Sequence, residues 1–103
     1  MDDVSAFEST GKVWVWRPAK PSGTGWYFLT VEGQTAAEIR YAALGRTGGF
    51  GSIRVTATIG DTSWQTSLFP HRDSGGLLLP LKAGVRRRES IEVGCEVTVW
   101  LAV

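Results

Sequence analysis

Two segments of this chain alternate apolar and polar side chains, and this pattern constrains the fold more than any other feature. Apolar residues occupy every second position over residues 53–59, and over residues 96–103 Val97, Val99, Leu101 and Val103 alternate with Glu96, Thr98, Trp100 and Ala102. Successive side chains of a β-strand point to opposite faces, so this period of two predicts strands with one buried face. Gly60 and Asp61 separate the first strand from residues 62–69, which predicts a tight β-hairpin.

Three further segments have the composition of strands. Residues 12–17 and 26–31 are rich in β-branched and aromatic side chains, and residues 77–81 are almost entirely apolar. Residues 18–25 contain two prolines, two glycines and a serine, which predicts a loop. Together with the alternating segments and residues 62–69, these segments give six predicted strands.

One α-helix is predicted between the second and third strands. Thr35 and Glu38 have the spacing of a capping box, in which each side chain accepts a hydrogen bond from the other residue's backbone. Gly45 stands where a helix commonly ends in the left-handed conformation. The helical face predicted to be buried consists of Ala37, Tyr41 and Leu44. We expect this helix to close one end of a barrel or to pack on its side.

The fold predicted from these elements is mostly β, a small closed six-stranded β-barrel with one α-helix and one short helix. The short helix is predicted over residues 82–88. Closure is favoured because it removes the exposed edges of an open sheet. The length fits a single small-barrel domain spanning residues 1–103, and the 13 glycines are consistent with many tight turns.

Composition and charge argue against several classes of ligand. The formal net charge of +1 gives no overall attraction to nucleic acids or acidic membranes. Cys95 is the one cysteine and His71 the one histidine, which does not suffice for a zinc site of the usual kind. We therefore expect no metal and no cofactor.

The sequence also bears on location. The N-terminus lacks the basic and apolar segments of a signal peptide, and no apolar run approaches the roughly 20 residues that span a bilayer. We expect a cytoplasmic protein with no membrane contact.

Several short motifs resemble one known family in combination. They are Phe-Gly-Ser-Ile-Arg-Val at 50–55, the hairpin at 59–70, Leu-Pro-Leu-Lys at 79–82, Val-Arg at 85–86 and Val-Gly at 93–94. In this order they are similar to a bacterial and archaeal family of small barrels classified only as a domain of unknown function. The resemblance covers nearly the whole chain. It implies a six-stranded barrel distantly similar to the swapped-hairpin barrels of bacterial transition-state regulators, and some family members are fused to a domain linked to bacteriocin protection.

The chain departs from this family at two positions. Cys95 stands where the family usually has an aspartate after a glycine, so the side-chain cap of that turn is in question. Leu78 stands where an aromatic residue is usual. The smaller side chain would enlarge a cavity unless a neighbour fills the space.

Five tryptophans are many for a chain of this length. Trp14 and Trp16 share one face of the first predicted strand, while Val13 and Val15 give the other face an apolar surface. Aromatic side chains beyond what the core needs indicate a pocket or an interface. Such a pocket would bind a flat or cationic ligand by stacking and cation–π attraction.

The favoured hypothesis is a binding module for a small apolar or aromatic ligand or for a protein partner. A homodimer formed through the same aromatic residues is an alternative. For Trp26 and Trp64, packing in the core or at the barrel end is the favoured interpretation, and Phe50 is expected to anchor a loop at the rim. The predicted ligand-binding residues are Trp14, Trp16, Trp26, Phe50 and Trp100.

A nucleic-acid-binding or regulatory module is the first alternative. Its candidate residues are Lys82, Arg86, Arg87 and Arg88. Binding through these cations would weaken steeply as the salt concentration rises. Because acidic residues follow the run and the net charge is low, a solvated helix face is the favoured interpretation of these residues.

A small enzyme is the second alternative. His71, assisted by the nearby carboxylate of Asp73, could act as a general base, with Ser67 or Cys95 as the nucleophile. Neighbours in a loop rarely face one another, and the chain has no nucleophile-elbow motif. An exposed turn is therefore the favoured interpretation of this segment, and the prediction leans away from an enzyme.

Overall fold

The computed structural model describes residues 6–17 and 25–103, which form one curled antiparallel sheet with two α-helices. The elements are β1 (Ala6–Lys12), β2 (Trp14–Trp16), β3 (Trp26–Val31), α1 (Gly33–Ala42), a 3-10 turn (Gly49–Gly51), β4 (Ile53–Ile59), β5 (Thr62–Pro70), β6 (Leu77–Pro80), α2 (Ala83–Glu89) and β7 (Glu96–Ala102). The strand order is β1-β7-β4-β5-β6-β3-β2. The mostly β prediction with one helix and one short helix is confirmed.

The predicted closed six-stranded barrel is wrong, because the sheet is an open half-barrel and has seven strands within the described residues. The additional strand is β1, which pairs with β7 along its whole length. The expectation of closure rested on the need to protect sheet edges. Here β2 is an edge of only three residues and β1 carries the charged residues Glu8 and Lys12, and short or charged edges resist association without closure.

A bend at Val13 places one continuous stretch of chain at both edges of the sheet. Val13 donates a backbone hydrogen bond of 2.9 Å to Cys95 and accepts one of 2.8 Å from Gly94. Its side chain is buried. The chain before the bend pairs with β7 and the chain after it pairs with β3, so the sheet must curl.

The alternating strands bury the faces predicted for them. In β4 the buried side chains are Ile53, Val55, Ala57 and Ile59. Gly60 has a φ of 57°, and Ile59 pairs directly with Thr62, so the predicted two-residue hairpin is confirmed. In β7, Val99 and Leu101 are fully buried.

The position of α1 in the chain is confirmed, but its predicted start and buried face are wrong. The helix begins at Gly33 after Glu32, and no side chain caps it. Its buried face consists of Ala36, Ile39 and the following Ala43. Tyr41 is 78% exposed. The prediction chose the wrong face because both sets of apolar residues have helical spacing, and periodicity alone does not distinguish them.

The short helix α2 lies where it was predicted and is tied to the hairpin. Thr62 donates a 2.6 Å hydrogen bond to a carboxylate oxygen of Glu89, the last residue of α2. Neither described helix has the length and apolar character that crossing a bilayer requires. The cytoplasmic location stays a prediction.

Gly76 offers a test of how closely the strands approach each other. A Cβ atom at Gly76 would overlap the carbonyl oxygen of Val31, whereas a Cβ atom at Gly84 in α2 would meet nothing within 4 Å. We expect Gly76→Ala to lower the free energy of unfolding by about 1–3 kcal/mol. Gly84→Ala should raise it by about 0.5–1 kcal/mol, since alanine favours the helix. Urea titration of both variants checks this pair, and a shift in the same direction would contradict the packing described.

Candidate functional site

Strand pairing brings three tryptophans together on the outer face of the half-barrel. Trp14 of β2 lies opposite Phe28 of β3, and Trp16 lies opposite Trp26. The residues of β3 between and beyond these positions point inward, and Leu29 is fully buried. The aromatic side chains of β2 and β3 therefore lie on the outer face of the sheet, and the opposite face packs against the core.

This aromatic face forms one wall of a groove with a volume of about 430 Å³. The groove is lined by Trp14, Trp16, Trp26, Phe28, His71, Asp73 and Leu78. It combines three of the predicted ligand-binding residues with the two residues predicted for catalysis. Phe28 was missed in the sequence, although it lies two positions after Trp26 and so shares its face of the strand.

Trp14 is fixed at the base of the groove by three contacts. Its Nε1–H donates a 2.8 Å hydrogen bond to Oγ1 of Thr30. Its ring centre lies 5.1 Å from that of Phe28 and 5.8 Å from that of His71, with tilted planes in both pairs. These separations are typical of aromatic pairs, so the indole is held in place before any ligand binds.

Trp16 and Trp26 differ from Trp14 in their exposure. They are 53% and 59% exposed, so Trp26 does not pack in the core, and the barrel-end interpretation stays a prediction. Two neighbouring indoles that stay largely in solvent gain little of the stabilisation that burial of apolar surface gives. Exposed apolar side chains in a cluster commonly mark a binding surface.

The opposite wall of the groove is a hydrogen-bonded loop after β5. His71 donates its backbone N–H to Gly76 at 2.9 Å and accepts one from Gly75 at 2.8 Å. Its Nδ1 lies 2.8 Å from Oγ of Ser74. Arg40 of α1 donates from Nη2 to the carbonyl oxygens of Gly75 and Gly76, at 2.8 and 3.0 Å. The helix thus positions the loop that carries His71.

Leu78 lines the groove from β6. It pairs with Thr30 on one side and with Phe69 on the other, so it belongs to the same outer face. A bulkier aromatic residue at this position would occupy space that the groove now has open. The position at which an aromatic residue was expected from the resemblance therefore lies within the groove.

The other predicted binding residues lie elsewhere. Trp100 is half exposed on β7, opposite Glu8 and Thr58. Phe50 is 98% exposed in the 3-10 turn, with a φ of 59°. Trp64 is buried, as its core interpretation predicted. Neither Trp100 nor Phe50 lines the groove.

The enzyme alternative stays a prediction, and the geometry offers it little support. The hydrogen-bond partner of the His71 ring among the described residues is Ser74, not Ser67 or Cys95. Ser74 also accepts the backbone N–H of Gly76, which is the pattern of a local turn. No cluster of three or more metal-binding side chains occurs within residues 6–17 and 25–103.

The three consecutive arginines of α2 point in different directions from the helix axis. Successive residues of a helix are about 100° apart, so the arginines at 86–88 do not share one face. Arg86 lies over the ring of Tyr27, and its Nε donates to the carbonyl oxygen of Leu81. Arg86 and Arg87 both line a further surface depression, beside Glu92. The nucleic-acid alternative stays a prediction.

The fold and the groove together define a small, mostly β half-barrel domain with an aromatic outer face. The chain belongs to the family described as "Domain of unknown function (DUF1905)", whose model matches residues 10–101. The predicted membership of a family of small β domains of unknown function is thus confirmed. The bacterial and archaeal distribution and the likeness to transition-state regulators stay predictions.

A search of curated proteins found no significant match, and a search of solved structures found none either.

The hydrogen bond between Trp14 and Thr30 can be tested by removing its acceptor. Thr30→Val leaves the partly buried indole N–H without this partner and should lower the free energy of unfolding by about 0.5–1.5 kcal/mol. Thr30→Ser keeps the hydroxyl and should lose less. Urea titration followed by tryptophan fluorescence gives both values. An equal loss in the two variants would mean that the bond contributes little.

Proposed function

We propose that this protein is a binding module whose groove holds a small flat aromatic ligand, with preference for one that carries a positive charge. The observation that supports this most is the convergence of Trp14, Trp16 and Trp26 on one groove. These residues come from two separate strands, and neither exposed indole is needed to fill the core. An exposed cluster of apolar side chains lowers solubility, and in a folded protein such a cluster commonly marks a binding site.

The size and composition of the groove suit a small molecule. A volume of about 430 Å³ lies within the usual range of ligand pockets, roughly 300–1,000 Å³. Indole rings offer broad, flat, apolar faces on which another ring can stack. Trp14 is already fixed by Thr30 and His71, so ordering this indole costs little when a ligand binds.

The charges at the groove favour a cation. The face of each indole carries the negative part of its quadrupole and attracts positive charge. Asp73 lines the groove and is exposed, so its carboxylate can pair with a cation lying on the rings. His71 contributes a further aromatic ring.

The first test compares a charged ligand with a neutral one of the same shape. Isothermal titration calorimetry with N-methylquinolinium and with quinoline would give the two dissociation constants. We expect both to bind and the cation to bind more tightly. Trp16→Ala and Trp26→Ala should each weaken binding by about tenfold, equivalent to about 1.4 kcal/mol. Both side chains are largely exposed, so these variants should stay folded.

Trp100→Ala is the matched control for these variants. Trp100 is about as exposed as Trp16 but lies outside the groove, so its loss should leave binding unchanged. Leu78→Trp should fill the groove and reduce binding of both compounds. Equal losses in the Trp16 and Trp100 variants, or no binding by the wild type, would overturn the proposal.

Asp73→Asn tests the preference for positive charge separately. The amide has nearly the same shape as the carboxylate but no charge. Binding of N-methylquinolinium should weaken by about two- to fivefold, which is the effect expected of one exposed ion pair. Binding of quinoline should not change. A loss of both ligands to the same extent would assign Asp73 a structural role instead.

The protein-partner and homodimer hypotheses use the same surface. They predict that the chain associates through Trp16 and Trp26. Sedimentation velocity over a range of concentrations distinguishes them from the proposal: a dimer that Trp16→Ala dissociates would assign the groove to an interface. A monomer at all concentrations together with ligand binding would support the small-molecule site.

A further inference from the structure

A second cavity lies at one end of the half-barrel, where β3 begins and β6 ends. Its volume is about 290 Å³. The apolar walls are Trp26, Tyr27, Trp64, Pro80 and Leu81. Lys82 and Arg86 add two positively charged side chains to the same cavity. The combination of aromatic walls and two cations differs from the groove, whose charged side chain is a carboxylate.

The Arg86 guanidinium is fixed in position. Its central carbon lies 3.7 Å from the ring centre of Tyr27, and its Nε–H donates a 3.0 Å hydrogen bond to the carbonyl oxygen of Leu81. A guanidinium has five N–H donors, and this bond uses one of them. The stacking and the hydrogen bond hold the planar fork in place, so less conformational entropy is lost when the remaining donors bind an anion.

No acidic side chain lines the cavity among the described residues. Glu89 is the one acidic residue within α2, and its carboxylate accepts a hydrogen bond from the hydroxyl of Thr62. The charge of Lys82 and Arg86 is therefore not balanced by another lining residue. Two cations at an apolar cavity attract an anion, and the planar fork of an arginine matches carboxylate and phosphate oxygens.

The walls set a second requirement. Trp64 is buried, while Trp26 presents an exposed ring at the mouth, so a ligand in this cavity meets aromatic surfaces as well as cations. We propose that this cavity binds a small aromatic acid, with its carboxylate or phosphate oxygens at Arg86 and Lys82 and its ring against the tryptophans. This site is separate from the groove of the proposed function and shares with it only Trp26.

Calorimetry with four probes tests the proposal on the full chain. Benzoate and phenyl phosphate carry the ring and the anionic oxygens, benzamide is the neutral counterpart of benzoate, and inorganic phosphate lacks the ring. We expect at least one aromatic acid to bind about tenfold more tightly than benzamide and more tightly than inorganic phosphate. The comparison of benzoate with phenyl phosphate identifies the preferred anionic group. Measurements at about 50 mM and about 300 mM sodium chloride should show weaker binding at the higher salt.

Arg86→Gln and Arg87→Gln form a matched pair. They remove the same charge from adjacent positions of α2, but only Arg86 lines the cavity. Arg86→Gln should weaken binding of the aromatic acid by about tenfold or more, whereas Arg87→Gln should leave it nearly unchanged. Trp26→Ala should weaken both this site and the groove, and Trp16→Ala should weaken the groove alone. The failure of one proposal is thus distinguishable from the failure of the other.

A measurement on the wild type covers the case in which Arg86→Gln does not fold. In a ¹H–¹⁵N spectrum, the indole N–H resonance of Trp64 should shift as the more tightly bound of benzoate and phenyl phosphate is added, and that of Trp100 should not. Binding of benzamide as tight as that of both benzoate and phenyl phosphate would overturn the proposal. So would equal losses in the two arginine variants, binding of inorganic phosphate as tight as that of the aromatic acids, or an unchanged Trp64 resonance.

Discussion

The bend at Val13 is the constraint on which the rest of the structure depends. Two backbone hydrogen bonds, to Cys95 and from Gly94, fix this residue beside the turn before β7, and its side chain is buried in the core. The chain on either side of the bend occupies opposite edges of the sheet. This single arrangement curls the sheet and places Trp14 and Trp16 beside β3. Without the bend, the two indoles would run beyond the start of β7, where β1 already ends, and would not meet Trp26.

Strands β3 and β6 contribute to both the core and the groove, because successive side chains point to opposite faces of the sheet. The inward residues of β3 and β6, such as Leu29 and Leu79, are fully buried and supply the core. The outward residues supply the groove, with Phe28 against Trp14 and Leu78 at the floor. A rigid core on one face therefore holds the geometry of the binding face on the other. This division explains how a chain of 103 residues can keep large aromatic side chains exposed and still fold.

The sequence predicted the local features of this fold and missed those that depend on distant contacts. The β4–β5 hairpin and β7 followed from alternation and from Gly60, which act within a few residues. Strand β1 was missed because its polar and small residues are not typical of a buried strand and its pairing with β7 spans most of the chain. The buried face of α1 was wrong since both of its faces carry apolar residues. The tryptophans were predicted as a group, but the arrival of His71 beside Trp14 depends on a loop held by Arg40, which no sequence spacing indicates.

The most direct test of a single binding groove follows the indole N–H resonances of the five tryptophans while N-methylquinolinium is added. If the groove is one site, the resonances of Trp14, Trp16 and Trp26 shift together with one dissociation constant, and the resonance of Trp100 stays in place. Shifts confined to Trp100, or separate dissociation constants for the three groove tryptophans, would contradict the claim that they form one binding site.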